Sequence, residues 1–138
     1  MKLLLDTHAF LWALMETEKI NRDVVHAIMD SDNEVFISSI TLLEIGLKHG
    51  LGKLELNGIT PSELPEIASR KMGFHLVDLD SETAATIGDL PKIHNDPFDC
   101  MLIHQAIRNE FVMVSANKQF PSYQFLRVET SLVNKCAS

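Results

Sequence analysis

Long apolar runs are missing from this chain. None approaches the roughly 20 residues that a membrane-spanning helix needs, so no membrane role is expected. The stretch Lys2–Leu5 is too short for the apolar core of a secretion signal, and Asp6 interrupts it at once. Cysteine is scarce. There are two, Cys100 in a predicted helix and Cys136 in the C-terminal tail, and no pairing between them is expected. These absences make the cytoplasm the expected compartment. Positive charge is also in short supply: 12 basic against 19 acidic residues give a net charge of −7. That argues against a nucleic-acid coat protein, which needs a basic face. It leaves room for an enzyme whose acids hold a phosphate-contacting metal and which needs only a local basic rim. Lys48, His49 and Lys53 near Glu44, and Lys118, are candidates for that rim, against the plainer reading of solvated side chains. No two histidines have a zinc-ligand spacing, so zinc is not expected. Repeats, low-complexity segments and linkers are absent too.

What is present suits one α/β domain over residues 1–138, with a core over about 1–128 and a short tail. Lys2–Leu5 predicts a buried strand, Thr7–Met15 a helix, and Asn21–Asp32 a second helix capped by Asn21. Glu34–Ser38 predicts a strand. Ile40–His49 predicts a helix with Ile40, Leu43 and Leu47 on its buried stripe and Gly50 as C-cap. Ser62–Met72 predicts a helix, His75–Val77 a strand, Ser81–Ile87 a short helix, and Phe98–Asn109 a helix with Pro97 in its first turn. Phe111–Val114 and Phe125–Val128 predict the last strands. Helices between buried strands imply right-handed crossovers and a mainly parallel sheet covered on both faces. In such sheets, sites form beyond the carboxyl ends of the strands.

Three segments bring acids toward that edge: Leu5-Asp6-Thr7-His8, Thr41-Leu42-Leu43-Glu44, and Asp96-Pro97-Phe98-Asp99. Each acid also has a local structural reading. Asp6 and Asp96 can cap helices, and Asp99 can complement a helix dipole. Glu44 fits a capping box from Thr41, or an i,i+4 pair with Lys48. Capping does not predict that distant segments converge. Converging carboxylates repel unless a cation sits among them, and oxygen donors with open positions suit Mg²⁺ or Mn²⁺. The expectation is a small metal-dependent phosphodiesterase. Thr7, His8, Ser39 and Ser115 are candidates to orient water or phosphate, with local capping or packing as the alternative for each.

The blocks Leu3-Leu4-Leu5-Asp6-Thr7-His8, Ile37-Ser38-Ser39 with Thr41-Leu42-Leu43-Glu44-Ile45, Lys53-Leu54, and His94-Asn95-Asp96-Pro97-Phe98-Asp99-Cys100 resemble the PIN-domain ribonucleases. Within them, the chain resembles the VapC-like toxins of type II toxin–antitoxin pairs. The resemblance implies a three-layer, Rossmann-like fold and RNA cleavage with Mg²⁺ or Mn²⁺. It also implies an antitoxin partner and a homodimer, the dimer also suggested by apolar residues around Leu11, Trp12 and Leu42. It assigns Asp6, Glu44 and Asp99 as metal-site acids and Asp96 as their companion, and it matches Ser115 to the family's Thr or Ser; Lys48, from the basic rim, joins the orienting candidates. The fourth acid of the family falls on Asn117, a neutral oxygen donor. This departure supports an alternative: a catalytically weakened module acting by antitoxin or RNA binding. A third reading is a non-enzymatic interaction module whose acids only cap helices.

Overall fold

The computed structural model describes residues 1–89 and 96–115, and the backbone of 124–127. His94, Asn117, Lys118 and Cys136 lie outside the described residues. The strands are β1 (Lys2–Leu5), β2 (Glu34–Ser38), β3 (His75–Val77), β4 (Val112–Ser115) and β5 (Gln124–Arg127). They form one sheet in the order β3-β2-β1-β4-β5. The first four run parallel, and β5 pairs antiparallel with β4. The helices are α1 (Thr7–Met15), α2 (Arg22–Met29), α3 (Ser39–Gly50), α4 (Leu64–Glu66), α5 (Ser81–Ala85) and α6 (Pro97–Asn109).

Strand alternation divides the core in two. Leu3, Leu5, Val35, Ile37, Val112 and Val114 face one side, where they pack with Phe10, Val24, Ile45 and Leu64. Leu4 and Met113 face the other, where they pack with Ile40, Leu102, Ile103 and Ala106. Both faces are therefore covered, which is why these strands read as apolar runs rather than alternating ones. The result is the three-layer α/β arrangement expected from the sequence. Trp12 and Phe98 pack against these clusters, as their apolar bulk implied. Among the described residues, no helix is long and apolar enough to cross a membrane.

Several local expectations need correction. Helix α3 buries Ile40, Thr41, Glu44 and Ile45, while Leu43 and Leu47 are 53% and 49% exposed. Of the stripe expected inside, Ile40 is buried but Leu43 and Leu47 point outward. The inner face carries Thr41 and Glu44 beside Ile40 and Ile45, because both polar groups meet the Thr7 hydroxyl of α1. Helix α3 starts from Ser38, whose Oγ accepts from the Ile40 amide at 3.0 Å, so Thr41 and Glu44 form no capping box. At its other end Gly50 is still helical, Leu51 caps, and Gly52 takes the left-handed turn with φ +72°. The helix predicted over 62–72 forms as a continuous run over 61–71, but its pitch changes along the way. A 3₁₀ turn (Pro61–Glu63) leads into α4, and a wider π turn (Ile67–Lys71) follows. Helix α2 stops at Met29, because Asp30 turns the chain by accepting from the Asp32 amide.

Candidate active site

The site lies beyond the carboxyl ends of β1 and β4, where the strand order reverses. Beyond that point β2 and β3 extend to one side of β1, and β4 and β5 to the other. Asp6 follows β1 directly. Its amide continues the sheet ladder to the Val114 carbonyl at 2.9 Å. Its carboxylate Oδ1 caps α1 by accepting from the Ala9 amide at 2.7 Å, and Oδ2 accepts from Ser115 Oγ at 2.9 Å. Asp6 and Ser115 are both buried. The capping reading of Asp6 is therefore right, yet only one of its two oxygens serves the cap.

Glu44 reaches the same region from α3. Thr7 Oγ1 donates to Glu44 Oε1 at 2.6 Å, and the Lys48 ammonium binds Oε2. Glu44 is 2% exposed, so these bonds offset the cost of burying its charge. Asp96 caps α6, accepting from the amides of Phe98 at 3.0 Å and Asp99 at 3.4 Å. Asp99 stands one turn into that helix, at its N3 position.

Electrostatics ties the segments together. Burial, followed by the charges of Asp96, Asp6 and Glu44, pushes the Asp99 carboxyl up to about 7. Lys48 opposes that rise. In turn, Glu44 chiefly, with Asp96 and Asp99, holds the Lys48 ammonium above its ordinary value against the effect of burial. Acids from three distant segments thus sense one another.

This donor set suits a divalent cation. Burial is the first cause of the rise at Asp99 and the neighbouring carboxylates the second; a cation among those carboxylates would favour the ionised form. Among the described residues, no three His, Cys, Asp or Glu side chains are gathered so as to hold an ion unaided. A Mg²⁺ ion that keeps several waters would take only one or two carboxylates directly.

The remaining candidates separate. Thr7 and Ser115 each bond an acid of the group. Ser39 does not: its Oγ accepts from the Leu79 amide at 2.9 Å and ties down the chain leaving β3. His8 is exposed, its ring edge-on to Trp12. Lys53 is exposed and His49 half-buried. The sequence reading missed Thr41 and the link from Thr7 to Glu44. Buried Thr41 stands 3.5 Å from Thr7 Oγ1. The signal for both was a hydroxyl one helical turn before Glu44 and another next to Asp6.

A protein-family model described as PIN domain matches residues 3–126. The fold is similar to the solved structure of VapBC2 from Rickettsia felis bound to a DNA fragment from their promoter. The TM-score is 0.60 at 23% identity, over 94% of this chain and 98% of that one. It is also similar to FitAcB from Neisseria gonorrhoeae, with a TM-score of 0.56 at 22% identity, over 83% of this chain and 87% of that one. None of the curated proteins matches.

Proposed function

The chain belongs to the PIN-domain family, whose members are generally nucleases, and on that premise we propose that it is a Mg²⁺- or Mn²⁺-dependent endoribonuclease. The observation that carries this reading is that the charges of Asp96, Asp6 and Glu44, from distant segments, add to the upward push that burial gives the Asp99 carboxyl, near the switch point of the sheet. The proposed donors to the metal are Asp6, Asp99, Glu44 and Asp96, with Asn117 as a neutral oxygen donor. A divalent ion, when bound, acidifies water and neutralises charge at the phosphate.

The protein's own groups hold that chemistry in place. The Ala9 amide and Ser115 fix both oxygens of Asp6, so its carboxylate keeps one orientation. Thr7 holds Glu44 against the end of β1. Carboxylates beside a cation stay ionised, so the acids serve as ligands and not as free bases. Asn117, in place of the fourth acid, favours a second reading, in which cleavage is weak and binding of an antitoxin or RNA is the main activity.

The antitoxin partner is proposed on the resemblance to VapC-like toxins, and the fold shared with VapBC2 and FitAcB supports it. A two-fold dimer is proposed on different residues from those first considered. Leu11 and the packed faces of Trp12 and Leu42 belong to the core. Among the described residues, an exposed apolar stripe is instead formed by Leu43, Leu47 and Leu51, spaced four apart along α3 and just beyond it.

The test is cleavage of a mixed RNA pool in Mn²⁺ and in chelator, by wild type, Asp6→Asn and Asp99→Asn, alongside calorimetric titration with Mn²⁺. Cleavage and Mn²⁺ binding should both fall in the variants, and cleavage should stop in chelator. Binding that is equal in all three proteins, or cleavage indifferent to chelator, would refute the reading.

A further inference from the structure

Lys48 is a cation built into a group of acids. Most i,i+4 ion pairs join two exposed side chains, as Glu66 and Arg70 do here at 3.5 Å. Such pairs are worth little. The pair of Glu44 and Lys48 differs, because the acid is buried and the amine half-exposed. The ammonium also senses Asp96 and Asp99 from α6. Glu44 has no idle oxygen: Oε1 takes the Thr7 hydroxyl at 2.6 Å, and Oε2 takes Lys48. A metal that used Glu44 directly would share an oxygen with Thr7 or with Lys48, and at Oε2 its divalent charge would stand against the Lys48 ammonium.

We propose that Lys48, seated on Glu44, is the resident counter-cation of the acid cluster, so that Glu44 positions Lys48 and the site takes a single divalent ion per chain. The inference rests on the metal-dependent reading above and narrows it. The direct ligands, one or two carboxylates, then come from among Asp6, Asp96 and Asp99. Lys48 supplies fixed positive charge on the α3 side, facing the entering phosphate. It does so as a point charge with three rotatable donors, which suits a phosphate that must arrive and leave.

The test is Mn²⁺ binding to the full chain, followed by calorimetry and by the electron paramagnetic resonance signal of free Mn²⁺. Wild type should bind one ion. Lys48→Met removes the like charge and frees Glu44, so binding should tighten at least about tenfold. Lys48→Arg keeps the charge and should bind as wild type does. Melting in chelator reports whether each variant folds. If Lys48→Met does not fold, Glu44→Gln with Lys48→Met removes the whole pair and leaves no orphan charge. That protein should bind one ion within about threefold of wild type, because the pair carries no net charge. Four results overturn the proposal: two ions per wild-type chain, unchanged or weaker binding in Lys48→Met, altered binding in Lys48→Arg, or a loss of tenfold or more in the double variant. No binding in any protein would bring down the metal-dependent reading itself, and this inference with it.

Discussion

Replacing Asp99 by Asn should stabilise the metal-free protein at pH 8 while abolishing its activity. The Asp99 carboxyl titrates near 7 in the fold, against 3.8 for an ordinary aspartate, first because it is buried and then because Asp96, Asp6 and Glu44 repel its charge. Between those two pH values the folded chain holds a proton there that the unfolded chain has released. Folding stability therefore falls as pH rises from about 4 to about 7, and the loss is complete above that range. The interval corresponds to about 4 kcal/mol at about 1.4 kcal/mol per tenfold change in proton affinity. Asp99 is only partly buried, and solvent screening brings this to about 2 kcal/mol. Against that gain, Asn forfeits the favourable charge in the first turn of α6, worth about 0.3–1 kcal/mol. The net gain of about 1–1.5 kcal/mol should raise the melting temperature by about 3–6 °C for a chain of this size. The assay is calorimetric melting of wild type and variant in chelator at pH 5 and pH 8. At pH 5 the wild-type carboxyl is mostly protonated, so most of the difference should vanish. A variant that melts below wild type at pH 8, or a gap that is the same at both pH values, would refute the argument. It would leave Asp99 as a helix-start acid and little more.

Two further outcomes follow from the geometry. Thr7→Val keeps the shape of the side chain but strips the 2.6 Å bond from a buried carboxylate, and should cost about 1–3 kcal/mol, read as a lower urea midpoint at unchanged slope; a loss below about 0.5 kcal/mol would mean that water or Lys48 satisfies Glu44 without it. Sedimentation at micromolar concentration should show a species of twice 15.5 kDa that Leu47→Lys shifts toward the monomer, whereas a monomer alone in the wild type would remove α3 as a self-association face.

Strands and long helices were legible in the sequence because both faces of the sheet are covered and the apolar runs are unbroken. The caps on α1, α2 and α6 were legible because Asp6, Asn21 and Asp96 each precede a helical pattern with the right chemistry. Helix α3 was misjudged in its facing. Binary patterning assumes that carboxylates and hydroxyls seek water, yet Thr41 and Glu44 turn inward, where Thr7 and Lys48 satisfy Glu44. Conflicts of this kind between local pattern and fold are expected at functional sites. The change of pitch along residues 61–71 is not legible in the sequence beyond its two prolines. Pro61 and Pro65 stand only four apart at first-turn positions, so the run opens as a 3₁₀ turn and takes up α geometry at Leu64. As for the site, the sequence gathered Asp6, Glu44, Asp96 and Asp99 to one edge. It could not reveal that Ser39 serves the backbone of Leu79, nor that Lys48 is shared among three acids.

Asp6 and Asp99 sense each other's charge but stand under opposite constraints, and this bears on how such a protein would decay if selection for its activity were relaxed. Asp6 holds the start of α1 and the end of β4 through the two oxygens of one side chain, so its loss weakens the scaffold along with the chemistry. Asp99 is an electrostatic burden on the apo fold, and its replacement relieves that burden. Genetic drift should therefore erase Asp99 early and Asp6 late. A silent descendant would keep the acid that caps α1 long after losing the one that needed a metal, so an intact Asp6 alone would be poor evidence of a working enzyme.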